Sequence, residues 1–401
     1  MKDNTAELKS QAIIESRLIR YIATSRDEIS RGKLAEKMNV SKMTVSKHIS
    51  RLIQLGIITE GQPQRLESQV MGRRPVGLRL SDTSPCLCGI FIRRTYVQII
   101  LTDLSSTMID TIKEEFPTNL TADMLLDIIL SGYDRIRSRT SRRIVGCGVS
   151  CIGPVDSKLG YILSPPNFFG ITNVPIVSAL HAHTGLPCFL SHDVSAGALI
   201  ERLYGKGTKY NNFMFLHMQN GNGIGVGYVM NGKCINNDLR RSGEIGHTSI
   251  NYDGPQCMCG NRGCLEVYAS LQRMQGCIKN LLPVYQNSKF HPSKEISWNN
   301  ILDFASDGDA VAVAALDEYC SYLIFGITNA LKLLEFDTII IGYESAHSSN
   351  IIERMLRAKV QNIPEFANLS ILHSSFDGDA PLFGAVALVA NEVFSNNIPL
   401  I

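Results

Sequence analysis

Gly243-Glu244-Ile245-Gly246-His247 and, after nine intervening residues, Cys257-Met258-Cys259-Gly260-Asn261-Arg262-Gly263-Cys264-Leu265-Glu266 form the chemically densest part of the chain. Three thiols fall within eight residues, and Gly260 and Gly263 let the backbone turn tightly between them. With the imidazole of His247 they supply four N/S donors and leave no obvious open position, the donor set of a structural tetrahedral zinc (Zn2+) site. Unligated thiols beside a core histidine, and iron–sulfur ligation, are the competing readings. The other eight cysteines, Cys86, Cys88, Cys147, Cys151, Cys188, Cys234, Cys277 and Cys320, mostly sit in apolar patterns and read as packing residues. In a chain this long, free thiols and one metal site outweigh a disulfide framework.

Outward from this segment, residues 85–401 alternate short β-rich runs with helical stretches. Strands are expected at 86–92, 96–103, 144–151, 186–191, 212–218, 224–230, 338–342 and 370–373, and amphipathic helices at 122–138, 194–204, 310–335, 349–360 and 381–392. Such alternation implies an α/β fold with mixed sheets and crossover helices, long enough for two lobes with a cleft between them. No short-period repeat or low-complexity tract stands out.

Residues 1–80 differ in charge. They hold 15 Lys+Arg against 8 Asp+Glu, net +7, and leave 24 against 29, net −5, for the remainder; the overall +2 conceals this split. A basic head on an acidic body suggests a polyanion-binding module joined to something else. Ile14, Leu18 and Ile22 predict a first helix near residues 7–24. Ser30 can cap a short helix carrying Leu34, Ala35 and Met38, and after the turn at Asn39-Val40, Ser41 can cap a helix bearing Val45, Ile49 and Leu52. This is helix-turn-helix spacing. On a helical wheel Met43, Lys47 and Ser50 point away from the buried stripe, with Thr44, Ser46 and Arg51 at its flanks, a polar and basic face suited to the major groove. Gly56 ends that helix, Ile57-Ile58-Thr59 reads as a strand, and Gly72-Arg73-Arg74-Pro75 precedes alternating Val76, Leu78 and Leu80, a β-wing. The expected DNA contacts are Ser41, Lys42, Met43, Thr44, Ser46, Lys47, Ser50, Arg51, Arg73 and Arg74, the last two as phosphate or minor-groove contacts. A small helical domain with a solvated basic face is the bland alternative.

At 401 residues and 44% hydrophobic residues the chain is globular and multidomain, not a disordered segment or a cross-linked mini-protein. Met1-Lys2-Asp3-Asn4 opens no signal sequence, and no stretch reaches about 18 uninterrupted apolar residues, so a cytoplasmic protein with no membrane insertion is expected.

The Gly243–His247 and Cys257–Glu266 segments together resemble the signature of the ROK family of repressors, open reading frames and sugar kinases. The resemblance extends to Gly221-Asn222-Gly223-Ile224-Gly225-Val226-Gly227, to Ser164-Pro165-Pro166-Asn167 and to His192-Asp193, and so covers essentially all of residues 86–392. A winged helix-turn-helix with a Gly-Arg-Arg-Pro wing is similar to the repressor branch. The resemblance implies a winged head over residues 1–82 and, over 83–401, a two-lobed actin-like (ribonuclease H-like) ATPase fold with a zinc loop near 247–266 and a sugar in the cleft. It places Asn167, Asp193, Glu244, His247 and Glu266 at sugar hydroxyls, with one His247 nitrogen on zinc and the other on a sugar oxygen.

In the family's kinases the Asp193 position holds the catalytic base, so the nucleotide elements must separate an enzyme from a sensor. Where those kinases carry an acid followed by Gly-Gly-Thr, this chain has Phe91 in place of the acid and Arg93-Arg94 in place of the glycines. Asn222 stands where a Thr is usual, and Gly342-Tyr343 replaces a Gly-Gly pair. Binding without phosphorylation is therefore expected, with an ATP-dependent sugar kinase as the alternative. Arg93 and Arg94 either meet the phosphate of a phosphosugar or lie in a solvent-facing turn. The expected partners are double-stranded operator DNA, a sugar or phosphosugar effector, a second copy in a homodimer or homotetramer, and a sugar-transport-system protein.

Overall fold

The computed structural model describes residues 2–25, 27–61, 76–235, 243–344 and 350–400. The head begins with α1 (Lys2–Ala23), which starts five residues before the expected helix. There follow β1 (Ile29–Ser30), α2 (Arg31–Met38), α3 (Lys42–Gln54), β2 (Ile58–Glu60) and β3 (Gly77–Leu80). Both expected caps form: Ser30 Oγ accepts from Lys33 N at 3.4 Å and Ser41 Oγ from Thr44 N at 3.0 Å. Asn39, with φ +54°, ends α2 in the left-handed conformation and turns the chain into α3. Leu18, Leu34, Val45, Ile49, Leu52 and Leu78 are fully buried and make the head's core against the antiparallel sheet β1-β3-β2. The wing tip with Arg73 and Arg74 lies outside the described residues.

Lobe 1 contains β4 (Cys86–Ile92), β5 (Tyr96–Thr102), β6 (Met108–Glu115), α4 (Ala122–Ser138), β7 (Ile144–Cys151), β8 (Val155–Asp156), β9 (Tyr161–Ile162), α5 (Ile176–Thr184) and β10 (Cys188–His192), leading into α6 (Asp193–Tyr204). Lobe 2 contains β11 (Phe213–Met218), β12 (Ile224–Met230), β13 (Lys233–Cys234), α7 (Leu265–Tyr268), α8 (Leu271–Leu281), α9 (Trp298–Ser306), α10 (Ala310–Leu333), β14 (Thr338–Tyr343), α11 (Ile351–Val360) and β15 (Ser370–His373), before the final α12 (Ala380–Phe394).

The two five-stranded sheets run β10-β7-β4-β5-β6 and β13-β12-β11-β14-β15. In each, the first three strands form an antiparallel meander and the next two add in parallel beside the first strand, so both follow the order 3-2-1-4-5. This duplicated layout is the expected two-lobed actin-like, ribonuclease H-like fold. α6 and α12 pack on each other between the sheets, α6 against β11 and β12, α12 against β4 and β7. Gly227 makes that approach possible, because a Cβ there would collide with the Val194 carbonyl oxygen of α6. α10 is long and apolar enough to cross a membrane, although Asp317-Glu318 interrupts it; in the fold it is the central helix of lobe 2, packed against α8, α9 and α11. The head joins the body through α1, which contacts α12 and places Ser16 Oγ 3.4 Å from Asn396 Oδ1.

Candidate functional site: an interlobe cleft beside a thiol and imidazole cluster

β10 carries His192 to the edge of its sheet, and the chain enters α6 directly at Asp193, which is only 4% exposed. Across the gap the 3-10 turn Ile245–His247 and the first turn of α7 present Glu244, His247 and Glu266. The space between is a cleft of about 600 Å3, lined by Asp193, Glu244, His247 and Glu266 together with His192, His217 and Arg94. Four of the five residues expected at a sugar are thus brought together. The fifth, Asn167, stands on the exposed rim with its amide nitrogen 3.4 Å from Met258 Sδ.

Within the cleft the acids and imidazoles form one chain. His192 Nε2 lies 3.3 Å from Asp193 Oδ1 and 3.7 Å from Glu244 Oε1, Glu244 Oε2 lies 3.9 Å from His247 Nε2, and His247 Nδ1 lies 3.2 Å from Glu266 Oε1. Convergent carboxylates and imidazoles offer the directional acceptors and donors that a polyhydroxylated ligand satisfies. His192 enters the sequence reading only within the His192-Asp193 motif, without a site role, and His217 not at all. His217 is a polar residue inside the wholly buried strand β11, and that irregularity was its only signal. Burial, reinforced by the Arg93 charge, lowers its pKa to about 4, so it is neutral at pH 7.

His247, Cys257, Cys259 and Cys264 converge so that their donor atoms all lie within 4.8 Å of one another. With metal–sulfur and metal–nitrogen bonds of about 2.3 and 2.1 Å, a tetrahedral ion separates its donors by about 3.6–3.8 Å. Cys259 and Cys264 sulfurs are 3.6 Å apart, and Cys257 Sγ is 3.6 Å from His247 Nδ1. The group therefore fits a metal ion. Burial raises the Cys257 and Cys264 thiols, whereas at Cys259 burial is outweighed by hydrogen bonds from Asn261 N–H and the other thiols, which lower it toward the thiolate that a metal needs. Gly263, at φ +63°, is required by the turn: a Cβ there would strike the Asn251 carbonyl oxygen.

Arg93 and Arg94 are half-buried in the turn between β4 and β5. Arg94 lines the cleft and donates from Nε to Pro166 O at 3.2 Å, and the Arg93 guanidinium lies 5.4 Å from the ring centroid of buried Phe91.

On the head, Ser41, Lys42, Met43, Lys47 and Ser50 are exposed, Met43 at 82%, while Thr44 and Ser46 are half-buried. Arg51, with its side chain 39% exposed, also makes a contact within the head. Its guanidinium lies 3.0 Å from both oxygens of Glu15, which is 3% exposed and also meets His48 Nδ1 at 3.0 Å. This pair ties α3 to α1.

Residues 15–65 match an HTH domain, and residues 87–392 match the ROK family. The chain is 31% identical to the xylose repressor of Bacillus spizizenii over 90% of its own length and 91% of that protein. It is 27% identical to the DNA-binding transcriptional dual regulator NagC of Escherichia coli, over 90% and 88% of the two chains. Among solved structures it resembles a ROK family transcriptional regulator described as a homolog of the E. coli MLC protein, with a TM-score of 0.75, 25% identity, and coverage of 96% and 97%. With the family match spanning both lobes and the cleft, the chain belongs to the ROK family.

Proposed function

We propose that the protein is a sugar-responsive, DNA-binding transcriptional repressor, acting on genes of carbohydrate uptake or catabolism. The observation that carries this reading is the presence in one chain of a helix-turn-helix with an exposed recognition face and an interlobe cleft walled by Asp193, Glu244, His247 and Glu266. The relatives of matching length are repressors and regulators, which supports it further.

Asp193, Glu244, His247 and Glu266 hold sugar hydroxyls, with Asn167 closing from the rim, and Arg94 offers a guanidinium to a phosphosugar. The ion of the thiol cluster is zinc, a structural tetrahedral site held by His247 Nδ1 and the three cysteine sulfurs. Bound there, zinc fixes the His247 tautomer and ring plane, leaving Nε2 to face Glu244 and the cleft. Ser41, Lys42, Met43, Thr44, Ser46, Lys47 and Ser50 face operator DNA, with Arg73 and Arg74 in the wing. The head spans residues 1–82 and the two-lobed sensor 83–401. A homodimer or homotetramer presents paired heads to a two-fold operator, and closure of the lobes on the sugar changes their spacing. A sugar-transport-system protein is a further partner, and the cytoplasm is the site of action.

The chain does not phosphorylate the sugar. Phe91, buried at 3% exposure, offers no carboxylate to support magnesium, and Arg93 and Arg94 stand where the family's kinases keep the glycines of the phosphate loop. A sugar and phosphosugar panel, read by thermal shift and by coupled ADP release, tests this. Ligand-dependent stabilisation without ADP formation is expected; turnover that disappears in Asp193→Asn overturns the reading.

A further inference from the structure

A second cavity of about 600 Å3 lies where the head meets the body. α1, α2 and the connection between them wall it on the head side, and α6 with the turn after it walls it on the body side. Four head cations, Arg17, Arg20, Lys33 and Lys37, line it together with Arg202 of α6. Only Asp27 and Glu28 oppose them, an excess of three positive charges. Among the described residues none of the five cations forms an ion pair; Lys37 lies 5.8 Å from the Tyr21 ring centroid and Arg202 donates to the Gly232 carbonyl at 3.2 Å. Burial and the charge of Arg20 both lower the Arg202 pKa, as expected for cations facing each other across a partly desolvated gap.

The volume is that of a small-molecule site, and guanidinium groups match the geometry of phosphate oxygens. Tyr21, Thr24, Ser25 and Thr208 add hydroxyls around the cations, suited to the hydrophilic remainder of a phosphate ester. We propose that this cavity is a second effector site, for a small phosphorylated metabolite whose phosphate bridges Arg20 of the head and Arg202 of the body. It is separate from the sugar cleft but shares α6 with it. Asp193 opens that helix at the cleft and Arg202 stands nine residues on, about 14 Å along the axis. Occupancy would set how the head is held. That consequence for DNA rests on the repressor reading, whereas the binding does not.

Calorimetric titration of the full-length, DNA-free protein tests the site, with ionic strength fixed by chloride. The probes are inorganic phosphate and ribose 5-phosphate, with ribose as the control. Saturable binding of both phosphates but not of ribose is expected, weakened about 10-fold in Arg20→Gln/Lys37→Gln and again in Arg202→Gln. Agreement between the head-side and body-side variants guards against a folding defect in either one. Absence of phosphate binding overturns the proposal. So does binding lost in Asp193→Asn but kept in the arginine variants, which places the anion in the sugar cleft. A third contrary result is an arginine effect on DNA affinity alone, which assigns the basic wall to DNA phosphates. Failure of Asp193→Asn to change free-sugar binding reports separately on the cleft.

Discussion

At the scale of single residues, unlike surroundings give two buried histidines opposite pH behaviour. Among the described residues His217 forms no ion pair, and burial outweighs the nearby Asp193 charge and lowers its pKa from about 6.5 to about 4. Burial also pulls His373 down, but its Nδ1 lies 2.8 Å from Glu353 and its Nε2 2.7 Å from Asp377, and these contacts raise it overall. Below pH 6.5 the unfolded chain takes up a proton that folded His217 refuses, so its contribution, on the order of 3 kcal/mol, is lost as pH falls from 6.5 toward 4. His373 does the reverse: its contribution is complete below 6.5 and fades as pH rises through its elevated folded value. Urea midpoints measured across pH should therefore lose their acid limb in His217→Asn and part of their alkaline limb in His373→Asn. Identical pH profiles for both variants and the wild type would contradict these environments. Neither histidine was legible in advance, since His217 owes its pKa to burial and His373 in large part to Glu353, 20 residues earlier. The four metal donors were legible because they lie within 18 residues of one another.

At the scale of elements, α3 gathers most of the head's expected chemistry. Ser41 caps it, Val45, Ile49 and Leu52 bury one side, and Lys47 is left exposed. Lys47→Ala should weaken DNA binding without unfolding the head and lower the slope of log K against log salt by about 1, as loss of one phosphate contact requires; fluorescence anisotropy at several salt concentrations measures both. The Glu15 pair with Arg51 and His48 shows what a helical wheel cannot foresee, because the partner of Arg51 lies 36 residues earlier, on α1. Strands β4, β7, β12 and β15 have the expected bounds, since each is a compact apolar run. β6 was missed because Met-Ile-Asp-Thr-Ile-Lys-Glu-Glu is an edge strand with no fully buried position, and its pattern reads as a loop. α5, α8 and α9 were also missed. α8 and α9 each carry a clear apolar stripe, so their periodicity was present in the sequence, but it runs over only 11 and 9 residues.

For the whole molecule, the duplication of lobes was not legible as a repeat. The two sheets share the order 3-2-1-4-5 but not their residues, so topology alone shows it. The split of charge into a basic head and an acidic body was legible, but it gave no sign of the junction where four head cations meet Arg202 of the body. The proposed zinc ties the Cys257–Cys264 loop to the cleft through His247. Elemental analysis should find about one zinc per chain, and Cys264→Ala should lose the metal and the sugar response while DNA binding persists. A metal-free protein with full sugar response would remove the ion from the account.

The most direct test is DNA affinity of the full-length protein for a fragment from its own operon region, measured with and without the sugar or phosphosugar that gives the largest thermal shift. The account predicts that the effector changes affinity by about 5- to 150-fold, and that Asp193→Asn keeps the effector-free affinity but loses the change. Unchanged affinity with every stabilising ligand, or a response that survives in Asp193→Asn, would contradict it.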